Sequence, residues 1–211
     1  RLRLNLSKDK AQALAREQLL AVNLEDAERI LNAFPSQLSG GMLQRVSMAC
    51  LGGLAPRYIL ADEPTSALDE ENRNHLLTLL REIYHSAGIL FVSHDVSALK
   101  MLCRETVICS CRGNPERGRL VMEGFVVDQV SKTYMDEKQR PFQVLHDVSF
   151  SWSAGENIAV LGESGSGKST MARLLIGIEK PNSGTITWNG EDITRWKAPT
   201  WREKRSHIQA V

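Results

Sequence analysis

Apolar positions recur every three or four residues over 7–22, where Ala11, Leu14, Ala15, Gln18, Leu19 and Val22 share one face. That period predicts a helix, and Ser7 stands where its first turn needs a side-chain acceptor. Residues 24–33 predict a shorter helix stopped near Pro35, because proline disfavours helical backbone in the residue before it. At 38–55 the stretch LSGGMLQRVSMACLGGLA reads as a glycine turn opening a helix. The apolar run 58–61 ends in two acids, the texture of a strand buried on both faces of a parallel sheet. A helix over 70–85, a strand over 89–92, a helix over 96–103 and a strand over 106–109 follow. Strands alternating with helices predict an open α/β sheet.

The texture changes after CRGNPERGR at 111–119, a polar stretch broken by Gly113, Pro115 and Gly118. It is the best candidate boundary in the chain. Residues 120–129, 143–152 and 184–188 read as strands with turns between them, an antiparallel patch. Inside that patch lie an apolar strand over 158–161, a glycine-rich loop and a helix over 168–177.

Composition narrows the class. Of 211 residues 42% are apolar and 24% charged, so the chain has the means to bury a core. At about 150 residues per domain that length corresponds to ~1.4 domains. Lys and Arg number 26 against 25 Asp and Glu, a net charge of +1, which argues against a nucleic-acid partner. The longest apolar runs, 89–92 and 158–161, fall far short of the ~18 residues of a membrane span. No basic-then-apolar signal segment opens the chain. Cys50, Cys103, Cys109 and Cys111 fit neither zinc spacing nor a disulfide framework and read as reduced cytosolic thiols. The chain starts at Arg1 and stops at Val211 inside an expected strand; both ends read as cut.

The glycine loop carries the sharpest signal. GESGSGKST, from Gly162 to Thr170, places G-x-x-x-x-G-K-[ST] between an apolar strand and a helix. Its four fixed positions arise by chance at ~4 × 10⁻⁵ per site at ordinary composition. Gly162, Gly165 and Gly167 let the backbone curl so that amides face a β-phosphate at a helix N-terminus. Glu163, Ser164, Ser166 and Thr170 complete the phosphate-binding stretch. Lys168 supplies a point charge to the β- and γ-phosphates, and Ser169 offers a hydroxyl to Mg²⁺.

YILADEP at 58–64 delivers Asp62 and Glu63 at the C-terminal end of a strand, where open α/β sheets bind ligands. Asp62 would hold Mg²⁺, usually through water, and Glu63 would polarise the attacking water as general base. Read alone, acids after a strand are also ordinary turn formers. Ser39, Gly40 and Gly41 at a helix start make a second anion site, although a lone SGG turn would mean little.

The order decides. LSGGMLQR, then ADEPTSALD at 61–69, then FVSHD at 91–95 resembles the ATP-binding cassette (ABC) family over nearly the whole chain. In that resemblance these are the signature, Walker B with Glu63 adjacent, the D-loop at 66–69 and the switch histidine His94; the glycine loop is Walker A. The fold class implied is α/β: a P-loop NTPase core sheet with a helical signature subdomain and an antiparallel β patch. Lys168, Ser169 and the loop amides would bind ATP and Mg²⁺. Ser39, Gly40 and Gly41 would cap the γ-phosphate held by the opposite cassette of a head-to-tail dimer. His94 would contact that phosphate and orient water, though a lone histidine after a strand is also commonly structural. Tyr134, in VSKTY ahead of a strand, matches the position that stacks on adenine; a strand-end tyrosine without a ligand is the alternative. Finer likeness, in LSGGMLQR, ADEPTSALD, ITWNGEDIT and RSHIQAV, is to importer ATPases of the oligopeptide, dipeptide and nickel group. Such ATPases work peripherally at the cytoplasmic face of the cell membrane on transmembrane permease subunits.

In a single cassette Walker A comes first, whereas in this chain Lys168 follows Ser39. The favoured expectation is a piece of a fused double cassette. Residues 1–110 would be the C-terminal half of the first, 111–119 a linker and 120–211 the N-terminal half of the second. A natural circular permutant is the alternative. The family's glutamine loop would fall beyond Val211, so Gln209 is not assigned to it. The halves are complementary, so strands 58–61 and 158–161 are expected to pair in one core, with Asp62 facing Lys168 and Ser169 and Ser39 pointing away, towards a partner. The expected function is Mg-ATP hydrolysis powering import of peptides, nickel or related small solutes, weak or absent in this chain alone. The alternatives are a non-catalytic nucleotide-binding fragment and a soluble non-transport ABC ATPase.

Overall fold

Strands from both sides of the 111–119 stretch share one parallel sheet in the computed structural model. The structure describes residues 6–52, 54–65, 68–93, 103, 105–108 (backbone only), 123–204 and 206–210. In chain order the elements are α1 (Lys8–Ala21), α2 (Ala27–Asn32), α3 (Gly40–Gly52), β1 (Tyr58–Asp62), α4 (Glu70–Ile83), β2 (Gly88–Val92) and β3 (Glu105–Ile108). They continue with β4 (Phe125–Met135), β5 (Pro141–Trp152), β6 (Asn157–Leu161), α5 (Lys168–Leu175), β7 (Ser183–Trp188), β8 (Glu191–Asp192), α6 (Ala198–Lys204) and β9 (Ile208–Ala210).

The parallel sheet runs β3-β6-β2-β1-β9, so β6 of the second segment is flanked by two strands of the first. The second sheet, β5-β4-β7-β8, is antiparallel. Alternation along each parallel strand sorts its side chains between two faces. Tyr58, Leu60, Leu90, Val92, Ile158 and Val160 face α5 and the antiparallel sheet. Ile59, Ala61, Ile89, Phe91 and Ala159 face α1 to α4.

Tyr58 joins the segments most visibly. Its ring stands edge-on to Phe125 at 5.1 Å between centroids and to Trp152 at 4.9 Å, while Phe125 and Trp152 stack at 5.4 Å. Such pairs add about 0.5–1.5 kcal/mol each beyond burial. All three side chains are fully buried.

Most expected elements appear, with informative shifts. Ser7 caps α1 by accepting from the Lys10 amide at 3.4 Å. The second helix starts at Ala27 because Asp26 caps it, accepting from the Arg29 amide at 3.3 Å. The antiparallel strand expected to end at 129 runs on to Met135, because a bulge at Gln129 (φ 48°) restores pairing beyond it. Tyr134 therefore lies on β4, directly across from Phe142. Asp136 closes the β4–β5 hairpin, accepting from the Lys138 and Arg140 amides at 2.8 Å each. The strand expected within the antiparallel patch, β6, belongs to the parallel sheet. It shares that sheet with β1, but the direct pairing expected between the two is not made: β2, buried on both faces, lies between them and pairs with each. His94, Ser66, the helix expected over 96–103, the end of the 106–109 strand and the 111–119 boundary lie outside the described residues.

If both segments contribute to one core, truncation in the central strand destabilises the whole chain. Leu90→Ala should lower stability by about 2–5 kcal/mol while calorimetry still shows one unfolding transition; two separate transitions, only one of them shifted, would contradict a shared core.

Candidate functional site

Parallel pairing sets the site. Asp62 lies in register with Val92, and Val92 with Val160, so β1, β2 and β6 end level at one edge of the sheet, the edge where open α/β sheets bind ligands. Beyond β6 the glycine loop turns, the Ser166 amide donating to Glu163 O at 3.1 Å, and enters α5 through Gly167 in the left-handed region (φ 94°). A Cβ on Gly167 would stand 2.6 Å from Leu145 Cδ2 and 2.8 Å from Val144 Cγ1. Both conformation and space therefore demand glycine.

Asp62 and Ser169, 107 residues apart, meet at this edge: Ser169 Oγ donates to Asp62 Oδ1 at 3.2 Å. Asp62 has the parity of Tyr58 and Leu60, which places its carboxylate on the α5 face. Glu63 follows in a left-handed conformation (φ 50°), its amide donating to Val92 O at 2.8 Å. Such backbone in a non-glycine residue costs about 1–3 kcal/mol.

The loop has the chemistry to receive an anion. Lys168 is 7% exposed, and its ammonium donates to two uncharged acceptors, Gly162 O at 2.8 Å and Glu163 O at 3.0 Å. Among the described residues no carboxylate neutralises it, and a buried charge without a counterion is costly. Ser166 Oγ is buried with no hydrogen-bond partner among the described residues. A phosphate group would supply both, so the residues fit a nucleotide's phosphates, and Ser169 with Asp62 fit the divalent cation that accompanies them. Glu163, Ser164 and Gly165 are exposed along the loop, and Thr170 is buried behind it.

Ser39 caps α3, its Oγ accepting from the Met42 amide at 3.3 Å. A Cβ at Gly40 or Gly41 would meet nothing within 4 Å, so the start of α3 stands open. The buried side chains of α3, Met48, Ala49 and Leu51, pack on the sheet face opposite α5. Ser39 thus belongs to the other layer from Lys168.

The ABC transporter family matches residues 2–66 and 145–211, more than half of the chain. The chain belongs to the ABC transporter family. Among this ABC chain's curated relatives, the glutathione import ATP-binding protein GsiA of Salmonella choleraesuis (strain SC-B67) is 26% identical over an alignment 275 positions long, spanning all of this chain and 44% of the relative. GsiA of Escherichia coli (strain K12) is 25% identical with the same coverage. The chain thus spans under half the length of these relatives. A solved bacterial Atm1-family ABC exporter with ATP bound aligns with 63% of this chain and 19% of its own, at 26% identity and a TM-score of 0.33.

Two residues of this ABC chain escaped the sequence reading. The Tyr134 hydroxyl donates to Glu179 Oε2 at 2.5 Å and lies 3.4 Å from Thr170 Oγ1. Lys132 Nζ stands 5.3 Å from the centre of the Tyr134 ring and 3.5 Å from Glu179 Oε2. Accepting from Tyr134, with Lys132 and Arg173 nearby, holds the Glu179 carboxyl below the usual carboxylate range. Burial, followed by Glu179, raises the Tyr134 phenol above its ordinary value. No spacing rule ties position 179 to 134, so no sequence signal was there to find them.

Gly167→Ala should destabilise the chain by about 1–3 kcal/mol, read by chemical denaturation, and reduce nucleotide binding with it. Unchanged stability would show that the loop tolerates a Cβ and that its geometry is misassigned.

Proposed function

We propose that this chain is an ATP-binding part of an ABC importer ATPase, holding Mg-ATP between its Walker A loop and its Walker B acid. The observation that carries the reading is the Asp62–Ser169 contact at 3.2 Å, which sets a carboxylate beside the hydroxyl that would take part in holding Mg²⁺. In this reading Lys168 and the amides of 162–170 bind the phosphates, and Tyr134 stacks on adenine. Glu63 is the general base, and His94 senses the γ-phosphate. Mg²⁺, when bound, neutralises charge that develops on the phosphates; Asp62 and Ser169 hold it, and Glu63 accepts a proton from water.

The importer assignment draws on the name of the relatives, glutathione import ATP-binding protein, and on the sequence likeness to peptide and nickel importers. Peptide-like solutes are the substrate class this favours. The partners are transmembrane permease subunits and a second cassette, at the cytoplasmic face of the membrane, and not nucleic acid. Consistent with a peripheral position, no helix among the described residues is long and apolar enough to cross a membrane.

We assign 1–110 to the end of one cassette, 111–119 to a linker and 120–211 to the start of the next. One alignment running through all of this chain and 44% of the relative supports a fused double cassette over a permutant. In a longer fused protein each half would complete its own cassette, and Ser39, Gly40 and Gly41 would cap ATP on the Walker A of the next. In this chain alone the complementary halves complete each other. It binds Mg-ATP but, without an opposite signature, turns over little.

Lys168→Ala should weaken Mg-ATP binding by about 10- to 100-fold in calorimetric titration. Binding that survives this change undiminished would refute the assignment of the loop.

A further inference from the structure

In the function proposed above Tyr134 offers its ring to adenine, while its hydroxyl has no part. That hydroxyl is the most constrained part of the residue. It donates to Glu179 at 2.5 Å and lies 3.4 Å from Thr170 Oγ1, two positions of α5 or the loop that follows it. Glu179 is tied to that helix twice more. Its amide donates to Arg173 O at 3.3 Å, and its other carboxylate oxygen pairs with Arg173 Nη1 at 3.6 Å. Lys132, two residues before Tyr134 and so on the same face of β4, reaches Glu179 Oε2 at 3.5 Å and Lys180 O at 2.7 Å.

Beyond this cluster the half-buried Tyr134 makes one ring contact among the described residues, with Phe142 at 5.9 Å between centroids. It is the penultimate residue of β4, beside an exposed hairpin turn, and its cross-strand neighbour Phe142 is 49% exposed. A ring at such a place would rotate about its side-chain bonds, and fixing it only when a base arrives would cost binding free energy. Glu179 removes that freedom beforehand. It has side-chain exposure of 22% and is flanked by Lys132 and Arg173, so its acceptor is charged, partly desolvated and strong.

Resting on the reading of Tyr134 as the adenine platform, we infer that Glu179 is a positioning residue for nucleotide recognition: it locks the Tyr134 ring to the Walker A helix, so that base and phosphates are bound by one rigid unit. Glu179 touches neither base nor phosphate in this role. It acts through the Tyr134 hydroxyl, and its effect is confined to ligands that carry a base.

The test compares Mg-ATP with Mg-tripolyphosphate, which offers the loop its phosphates without a base, by calorimetric titration of the whole chain. Glu179→Ala and Tyr134→Phe should each weaken ATP binding by about three- to tenfold, leave tripolyphosphate binding unchanged, and combine without further loss. Glu179→Gln, which keeps an acceptor for the hydroxyl, should recover part of the affinity. Retained tripolyphosphate binding shows in each case that the variant is folded. Tyr134→Ala separates the two claims. If it weakens ATP by about tenfold or more while Glu179→Ala and Tyr134→Phe do not, positioning by Glu179 is wrong and the adenine platform stands. If Tyr134→Ala leaves ATP binding intact, the platform itself is wrong and the inference falls with it. Equal weakening of both ligands in Glu179→Ala and Tyr134→Phe would mean a general loss of structure around α5, and would also overturn it.

Discussion

Everything at the site depends on the pairing of β2 with β6. These strands come from segments on opposite sides of the 111–119 stretch, and their parallel register, Ile89 to Asn157 through Val92 to Val160, sets the ends of the two segments level. Without that pairing, Asp62 would end one sheet and the glycine loop would leave another. With it, the loop after β6 and the acid after β1 lie one strand apart at the same edge. The Ser169–Asp62 hydrogen bond is a consequence of this register. It is a single neutral-to-charged contact, whereas the pairing is supported by two apolar faces and the Tyr58 aromatic cluster.

The two faces divide the work. On the α5 side the core continues into the antiparallel sheet, which carries Tyr134 and, through the loop after α5, meets Glu179. On the other side α1 to α4 carry Ser39, Gly40 and Gly41 at the open start of α3. The phosphate-binding and signature elements are therefore separated by the sheet within one chain. In the function proposed above, that separation would leave Ser39, Gly40 and Gly41 free to meet a nucleotide held by another cassette.

Much of this was legible in the sequence. The apolar runs at 58–61 and 158–161 report burial directly, while the 3–4 stripe over 7–22 marks the less exposed face of α1, where Leu19 and Val22 are buried and Ala11, Leu14, Ala15 and Gln18 half-buried. The glycine loop was legible because a tight turn into a helix restricts residue type at fixed spacing, as the left-handed backbone and the close Val144 and Leu145 side chains at Gly167 illustrate. Three features were not. The extension of β4 past 129 depends on a bulge that only the partner strands define, and its polar residues carry no strand period. The left-handed backbone at Glu63 is imposed by the sheet, not by residue preference. The Glu179 clamp joins residues 45 apart through tertiary contact alone.

The central claim is that the two motif-bearing segments complete one another within a single chain. Its most direct measurement is a cross-link between Asp62→Cys and Ser169→Cys, in a background lacking the four native cysteines, made with a short bifunctional thiol reagent at low protein concentration. The account predicts an efficient cross-link within the monomer, because the two positions face each other across the edge of one sheet. A cross-link found only in covalent dimers, or none at all, would contradict it.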